Sequence, residues 1–353
     1  MNIVFVVPNL ISLTGGLRVV FEHANQLTQR GHEVLIVSPI IPYGFFRTKW
    51  DFQRLIGWCY ELVNNIFHSG TTPDNYKKLF SIRNPLWVSK RLFSDADVVI
   101  ATAWPTAYSV AKLTYRTNRR FYLIQGYETW SGPKKLVDQS WSLPLHRLVV
   151  SSWLKNIGHS QLHVKCDGPL MNGVNTAEFF NNHKVYHRPL RLGFIYNPQV
   201  IKGTKYCLEA LEKIHQLYPD IIMQAFGYAK PKKIPTYIEF FSQPTQSRIR
   251  EIYCSWDIFI SPSLEEGWGL PPMEAMACKC AVVATNVGGI PDYTIAGRTA
   301  IIIPPANTMA IIEGVRTLVD DPYRLKKISE NGYDHIRQFT WDRATDNLLR
   351  IIS

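Results

Sequence analysis

Two glutamates flank a glycine-rich segment that holds the clearest chemical information in this sequence. Glu266 and Glu274 stand on either side of residues 267–270, and Pro271 and Pro272 follow that run. Carboxylate oxygens accept hydrogen bonds from sugar and ribose hydroxyls. Glycine lets a loop backbone come close to a ligand, and proline is tolerated in the first turn of a helix. The segment therefore offers acceptors for hydroxyl groups next to the start of a helix.

The elements around this segment indicate where it lies in a fold. An apolar run of strand length ends at Ser261, and a helical pattern is expected over residues 272–278. A loop that leads from the carboxyl end of a strand into a helix is a natural site for phosphate groups and nucleotides. We therefore expect a nucleotide-binding loop at residues 262–271.

The rest of the chain repeats the alternation of strands and helices. Residues 2–7 are an apolar run, residues 17–30 place apolar side chains on one helical face, and residues 33–38 form the next apolar run. This βαβ spacing predicts a parallel sheet. A second α/β series begins at residues 190–196. A chain of 353 residues is also long enough to divide into two domains.

The segment from Ser261 to Asp292 closely resembles the signature of glycosyltransferase family 4, retaining enzymes of the GT-B fold. Glu266 and Glu274 match the Glu-x7-Glu hallmark of this family, and Gly288-Gly289-Ile290-Pro291-Asp292 matches a later part of the signature. The resemblance covers most of the chain, more weakly outside this segment, and it does not include residues 42–70.

The resemblance implies an α/β protein of the GT-B type, with two Rossmann-like domains facing across a cleft. We expect an acceptor-binding domain over residues 1–185 and a nucleotide-sugar-binding domain over residues 186–338. Residues 339–353 would form a helix that returns to the first domain. The segment 176–189 shows no clear periodicity and is the expected interdomain linker.

The resemblance also assigns roles to individual residues. Glu274 would hold the donor ribose, Glu266 the hydroxyls of the donor sugar, and Lys202, in a Lys-Gly pair, the diphosphate. Gly15 and Gly16 would contact the phosphates from the first domain. The remaining donor-binding residues would be the loop residues Gly267, Trp268, Gly269 and Leu270, together with Gly227, Phe241 and Ser242 near the base.

Two positions depart from the family pattern. Relatives usually carry an arginine about five residues before the Lys-Gly pair, but Tyr196-Asn197 stand there; Arg18 and Arg248 are the candidate replacements. Many relatives also place a histidine near residues 123–130. This chain has Gln125 and Glu128 there, either to bind acceptor or donor hydroxyls or as buried structural residues.

These expectations define a retaining, metal-independent hexosyltransferase. The donor would be a UDP-sugar, with UDP-glucose as the first expectation, and the acceptor a glycan or lipid-linked saccharide in polysaccharide biosynthesis of the exopolysaccharide type. No cofactor and no metal are expected, as the resemblance to GT-B enzymes implies. The alternative is a non-catalytic nucleotide-sugar-binding subunit of the same fold. A GT-B epimerase fits less well, and no nucleic-acid-binding module is visible.

Charge and composition bear on location. The formal net charge is +11, and residues 1–185 carry 20 Lys and Arg against 11 Asp and Glu. Such a basic half can indicate binding to nucleic acid, to an anionic membrane surface or to a phosphorylated substrate, or it can be a solubilising surface without a partner. We expect a cytoplasmic protein with free thiols that can associate peripherally with the inner membrane face. Residues 42–70, rich in aromatic and basic residues, would touch a membrane, line an acceptor site or pack as a helical cap.

Overall fold

A computed structural model describes residues 1–10, 14–41, 79–113, 119–228, 231 and 233–353. The chain forms two compact units. Unit 1 comprises Met1–Met171 together with Trp341–Ser353, and unit 2 comprises Asn172–Thr340. The segment 42–70, expected to touch a membrane, line an acceptor site or pack as a helical cap, lies outside the described residues.

Unit 1 contains a six-stranded sheet in the order β3-β2-β1-β4-β5-β6, and every neighbouring pair is parallel. The strands are β1 (Asn2–Val6), β2 (Glu33–Val37), β3 (Ser81–Arg83), β4 (Val98–Ala101), β5 (Arg120–Ile124) and β6 (His146–Val149). β4 is buried along its whole length, as expected for a parallel strand covered on both faces. The sheet order changes direction between β1 and β4, which is where α/β sheets bind ligands.

The helices of unit 1 are α1 (Gly15–Gln29), α2 (Trp104–Ala111), α3 (Lys134–Trp141), α4 (Ser152–Ser160) and the C-terminal α10 (Trp341–Ile352). The Thr14 hydroxyl caps α1 by accepting the N–H of Leu17. α10 packs on α1, where His23 Nδ1 lies 2.9 Å from the Thr345 hydroxyl oxygen. The prediction that the C-terminal helix returns to the first domain is confirmed.

Unit 2 repeats the same topology. Its parallel sheet runs in the order β12-β11-β10-β7-β8-β9, which is the order of unit 1 read from the other edge. The strands are β7 (Arg191–Ile195), β8 (Ile222–Gly227), β9 (Ile238–Ser242), β10 (Ile258–Ser261), β11 (Ala281–Thr285) and β12 (Ile301–Ile303). The order changes direction between β7 and β10, so the loops after these two strands meet at the carboxyl edge of the sheet.

The helices of unit 2 among the described residues are α5 (Thr204–Leu217), α6 (Gln246–Ser255), α7 (Leu270–Ala277), α8 (Thr308–Val319) and α9 (Pro322–Ile336). The core between α5, α8, α9 and the sheet is made of buried aliphatic side chains. α7 begins at Leu270, the last residue of the glycine-rich segment 267–270, and Glu274 is one of its buried residues. The expected nucleotide-binding loop therefore follows β10 and leads into α7.

The division between the units falls at Met171–Asn172, before the expected boundary at residues 185–186. The intervening residues pack onto unit 2. The Phe179 ring contacts that of Tyr253, and the Asn181 amide donates to the carbonyls of Cys254 and Cys278. Residues 176–189 are thus not an independent linker, because buried contacts fix their first part to unit 2.

β6 ends at Val149, and α4 begins at Ser152. Ser151 caps α4 by accepting the N–H of Leu154 through its hydroxyl. Five described cysteines form no disulfide, as predicted. Within the described ranges, no helix combines the length and apolar character that crossing a bilayer requires.

Candidate functional site

The predicted diphosphate-binding lysine and sugar-binding glutamate form an ion pair in unit 2. Lys202 Nζ lies 2.7 Å from Glu266 Oε1, and the Ser263 hydroxyl donates to the same oxygen at 2.8 Å. Both bonds fall on Oε1, so Oε2 is the oxygen that a ligand hydroxyl can approach. The pair connects the loop after β7 with the loop after β10, at the point where the sheet order reverses.

Two glycines allow these loops to come together. Gly203 has φ +64°, and a Cβ there would lie 1.9 Å from the carbonyl oxygen of Pro262. Gly288 has φ +55°, and a Cβ there would lie 1.6 Å from the carbonyl oxygen of Glu266. Both positions combine left-handed backbone with a backbone contact that excludes any side chain. Glycine at 203 therefore sets the position of Lys202, and glycine at 288 sets that of Glu266.

Glu274 is the second carboxylate of the spaced pair, and it is only 5% exposed. The Tyr253 hydroxyl, on α6, donates to Glu274 Oε2 at 3.2 Å. Tyr253 is fully buried, with its ring edge-on to those of Phe226 and Trp256. This aromatic packing fixes the phenol, and the phenol in turn fixes one carboxylate oxygen of Glu274.

The loop before α7 is held from behind by a second tyrosine. Gly269 precedes α7 with φ +93°, and its carbonyl accepts the Tyr293 hydroxyl at 2.8 Å. The Tyr293 ring packs against Trp268 with a centroid separation of 5.2 Å. Burial raises the pKa of Tyr293 well above its usual value, so the phenol stays protonated and remains a donor. Because prolines occupy the next two positions, the N–H groups at this helix start come from Gly269 and Leu270.

The charge balance of this site is dominated by carboxylates. Burial, and then the neighbouring Glu266, raise the pKa of Glu265 above its usual range. The position where relatives carry an arginine is part of the backbone scaffold. The Asn197 N–H donates to the Thr204 hydroxyl, and the Asn197 carbonyl accepts from that hydroxyl. Lys202 is therefore the cation of this loop pair, and it is already balanced by Glu266.

The residues predicted to lie near the base are brought together at the ends of β8 and β9. Gly227 pairs with Ser242 in the parallel register, and Phe241 precedes Ser242. The Arg248 guanidinium, proposed as a replacement cation, lies 5.8 Å from the Phe241 ring centroid. It also forms an exposed ion pair with Glu251 at 2.6 Å, so part of its charge is compensated.

In unit 1, the predicted acceptor residues lie at the carboxyl ends of β1, β4 and β5. A Cβ on Gly16 would lie 3.5 Å from the Gln125 side-chain amide, so Gln125 stands over the start of α1. The Gln125 amide oxygen is buried and has no hydrogen-bond partner within the described part of the chain. Gly15 is the first residue of α1, and Arg18 lies in its first turn.

Glu128 is held at the start of α2. Its Oε2 accepts the Trp104 N–H at 2.8 Å. Burial raises the pKa of Glu128 from 4.5 to about 7, and the bond from Trp104 opposes this shift. Glu128 is thus a carboxyl group that changes protonation near neutral pH, beside the unsatisfied amide oxygen of Gln125 on the same loop. The alternative that these two residues are buried structural residues applies in part to Glu128, because its carboxylate accepts the Trp104 N–H at the N-terminus of α2.

Sequence reasoning did not identify the two tyrosines, Tyr253 and Tyr293, or the hydroxyl of Ser263 as parts of the site. Tyr293 directly follows the motif residue Asp292, which could have drawn attention to it. Tyr253 offered no such signal, because its contact with Glu274 depends on how α6 and α7 pack. Across the described ranges, no group of three or more His, Cys, Asp or Glu residues is arranged to hold a metal.

The chain is similar to known proteins in both sequence and fold. Residues 176–335 match the family model described as glycosyl transferases group 1. The chain is 36% identical over 111 residues to the alpha-maltose-1-phosphate synthase of Mycolicibacterium smegmatis. The matched region covers 30% of this chain and 29% of that protein. It is 28% identical over 131 residues to the D-inositol 3-phosphate glycosyltransferase of Rhodococcus opacus, over 37% of this chain and 29% of that protein. The chain thus spans less than a third of the length of these curated relatives.

Solved structures match over the whole chain at low identity. The sucrose-phosphate synthase from Thermosynechococcus elongatus superposes with a TM-score of 0.75 at 13% identity, covering 99% of this chain and 98% of that chain. Anabaena HepE, solved in complex with UDP-glucose, superposes with a TM-score of 0.74 at 13% identity, covering 100% and 99%. The fold is therefore GT-B, with two Rossmann-like domains, and together with the family match it supports the group 1 glycosyltransferase family.

Proposed function

We propose that this chain, with its group 1 glycosyltransferase match in unit 2, transfers a hexose from a UDP-sugar to a saccharide acceptor. UDP-glucose is the first candidate for the donor. The observation that carries the proposal is the Lys202–Glu266 ion pair at the reversal point of the sheet, on the same loop system as the buried Glu274. These side chains would offer a cation to a diphosphate and two carboxylates to hydroxyls around one loop and one helix start.

The roles follow from the bonding capacity of each group. An ammonium has three N–H donors, so Lys202 can keep its bond to Glu266 and still donate to a diphosphate oxygen. Glu266 Oε2 would accept a hydroxyl of the donor sugar, and Glu274, which also accepts the Tyr253 hydroxyl, would accept a ribose hydroxyl. Trp268, Gly269 and Leu270 would offer N–H groups to the sugar and phosphates.

The proposed reaction breaks the bond between the anomeric carbon and the diphosphate oxygen, and UDP leaves with the bonding electron pair. Lys202 and the N–H groups before α7 stabilise the negative charge on the departing diphosphate. The acceptor hydroxyl forms the new bond to the same face of the anomeric carbon, and its proton passes to a phosphate oxygen of the leaving UDP. This route retains the anomeric configuration and needs neither a side-chain nucleophile nor a metal.

Acceptor binding is proposed for unit 1. The buried Gln125 amide oxygen would be satisfied by a hydroxyl of the acceptor, and Glu128 can offer its other carboxylate oxygen. Gly15 and Gly16 stay predicted contacts of the donor phosphates, and Arg18 stays a predicted contact of the acceptor or sugar and a candidate replacement cation. We place the reaction in polysaccharide biosynthesis, with a glycan or a lipid-linked saccharide as acceptor, on the cytoplasmic side of the membrane.

A second candidate function is nucleotide-sugar binding without catalysis. The observation that favours it is the scaffold role of Asn197, which leaves Lys202 as the cation of this loop pair. A site with one compensated lysine would stabilise a departing diphosphate less than a site with two cations. Transfer or hydrolysis of the donor by the purified protein separates the two functions.

The experiment is a thermal-shift screen of the purified protein with UDP-, GDP-, ADP- and dTDP-sugars, repeated with Glu274→Ala. A ligand that binds only the folded state raises Tm according to its concentration and affinity. A rise with UDP-sugars that Glu274→Ala abolishes would support the proposed donor site. A rise confined to another nucleotide would reject uridine, and the absence of any rise would reject the donor site itself.

A further inference from the structure

An exposed apolar pair lies beside the sheet of unit 1 and takes no part in the proposed reaction. Leu86 is 55% exposed and Trp87 is 60% exposed. Within the described ranges, they are the only large exposed apolar side chains that are neighbours in sequence. They follow β3, and the parallel orientation of this strand places them at the carboxyl edge of the sheet. The loops with Gly16, Trp104 and Gln125 lie at the same edge.

The loop that carries this pair is firmly attached to the rest of unit 1. The carbonyl oxygens of Pro85 and Leu86 accept the N–H groups of Ile40 and Ile41 at 2.8 and 3.0 Å. Phe93, at the end of the following 3-10 helix, is buried at 2% exposure. The Leu86 and Trp87 side chains are therefore held outward by an ordered backbone.

The surroundings of the pair are basic. Arg83, Lys90 and Arg91 are exposed, and residues 81–94 contain no Asp or Glu. Lys90 is three residues from Trp87, so their Cα atoms are at most about 11 Å apart, on the order of one Debye length at physiological salt. Sequence spacing therefore keeps Lys90 near Trp87, and Arg83 and Arg91 are each four residues from Trp87.

We propose that this surface, defined as Arg83, Leu86, Trp87, Lys90 and Arg91, docks unit 1 onto an anionic phospholipid membrane. The indole ring of tryptophan favours the boundary between headgroups and acyl chains, and leucine adds apolar area to insert there. The three cations supply attraction to anionic headgroups. This docking is independent of donor chemistry, and it would bring the acceptor residues of unit 1 near lipid-linked saccharides.

The test is sedimentation of the full chain with vesicles. Two compositions are used, pure phosphatidylcholine and phosphatidylcholine mixed with phosphatidylglycerol. The wild-type protein is expected to sediment with the mixed vesicles and to be released by high salt. The double variant Leu86→Ala/Trp87→Ala should bind at least about tenfold more weakly, and Arg83→Glu/Arg91→Glu should lose most of the binding. The matched control is Tyr323→Ala, an exposed ring with a lysine nearby on unit 2, which should bind like wild type.

Several results would overturn the proposal. Failure of the wild-type protein to bind mixed vesicles would do so, as would equal binding by the apolar double variant. Equal binding to both vesicle compositions would show that anionic headgroups do not contribute to binding. An anionic membrane would then not be the partner. Dependence of soluble oligosaccharide binding on Trp87, without vesicle binding, would assign the ring to a carbohydrate instead. UDP affinity is measured on the same samples, so loss of the proposed donor site is seen separately.

Discussion

The Tyr253 hydroxyl donates a hydrogen bond to Glu274 Oε2 at 3.2 Å, inside the core of unit 2. The bond links an aromatic cluster on α6 to the carboxylate on α7 that the proposal assigns to ribose. It holds that carboxylate oxygen in place within the buried surroundings of Glu274. Tyr253 is therefore a positioning residue for the proposed donor site.

Tyr253→Phe keeps the ring packing and removes only this hydrogen bond. A hydrogen bond to a charged group contributes about 1.5–3 kcal/mol, so UDP affinity should fall by roughly 10-fold or more. The Kd for UDP is measured by calorimetry, and Tyr186→Phe, whose hydroxyl bonds Ser329 at 3.1 Å, is the control. In a double-mutant cycle the effect should largely vanish in a Glu274→Gln background. An unchanged Kd in Tyr253→Phe would show that the bond does not position Glu274.

Gly288→Ala tests the close approach of the two loops. The new Cβ would lie 1.6 Å from the carbonyl oxygen of Glu266, so the backbone must move. Gly297→Ala is the matched control, because it has φ +72° with nothing within 4 Å and should show only the strain of a left-handed alanine, about 1 kcal/mol. We expect Gly288→Ala to lower Tm clearly more than the control and to weaken UDP binding. Similar Tm values for the two variants would contradict the described packing.

Lys202→Ala tests the cation of the site. Loss of a preorganised group that stabilises developing charge typically lowers kcat by about 10²–10³-fold. Lys202 is 30% exposed and its partner Glu266 13% exposed, so the effect on folding should be modest compared with the effect on turnover. Lys205→Ala, a 79% exposed lysine on the adjoining helix, should leave kcat unchanged. Retention of wild-type transfer rates by Lys202→Ala would exclude the proposed role.

Glu128 gives unit 1 a distinct pH dependence. Its pKa of about 7 in the folded protein lies above the 4.5 of an unfolded chain, because burial disfavours the carboxylate. Between these values the folded state holds a proton that the unfolded state has lost, so stability falls as pH rises from about 4.5 to 7. Glu128→Gln should flatten this slope and be more stable than wild type above pH 7, by about 1–3 kcal/mol.

The measurement is urea unfolding of both proteins at a series of pH values, followed by a signal from unit 1. Taking the difference between wild type and Glu128→Gln removes the contributions of other titrating groups. Parallel pH profiles for the two proteins would mean that Glu128 titrates normally.

Hydrophobic periodicity was sufficient to predict a strand or helix where that element is buried or strongly amphipathic. The strand predicted to end at Ser261 does end there as β10, and the apolar runs at residues 2–7 and 33–38 correspond to β1 and β2. β9 was missed because it lies at the edge of the sheet, with only Ile238 fully buried, so it lacks a run of apolar residues. α3 was missed because it is short and buries few side chains.

The site could be predicted in residue types but not in contacts. The spacing and the resemblance pointed to Lys202, Glu266 and Glu274. No local pattern could show that Lys202 meets Glu266, since 64 residues separate them and the contact depends on the order of the strands. Tyr253 and Tyr293 acquire their roles from how the elements pack against one another. Hydrophobic periodicity can indicate that such residues are buried, but not which residues they contact.

The most direct test of the proposed activity is the release of UDP from UDP-glucose by the purified protein, followed by NMR. We expect UDP to appear and the sugar product to carry the α configuration of the donor when first formed. Glu274→Ala and Lys202→Ala should abolish this release, and Tyr186→Phe should not. Binding of UDP-glucose without any release of UDP would contradict transferase activity and leave the non-catalytic function. A product that first appears in the β configuration would contradict retention.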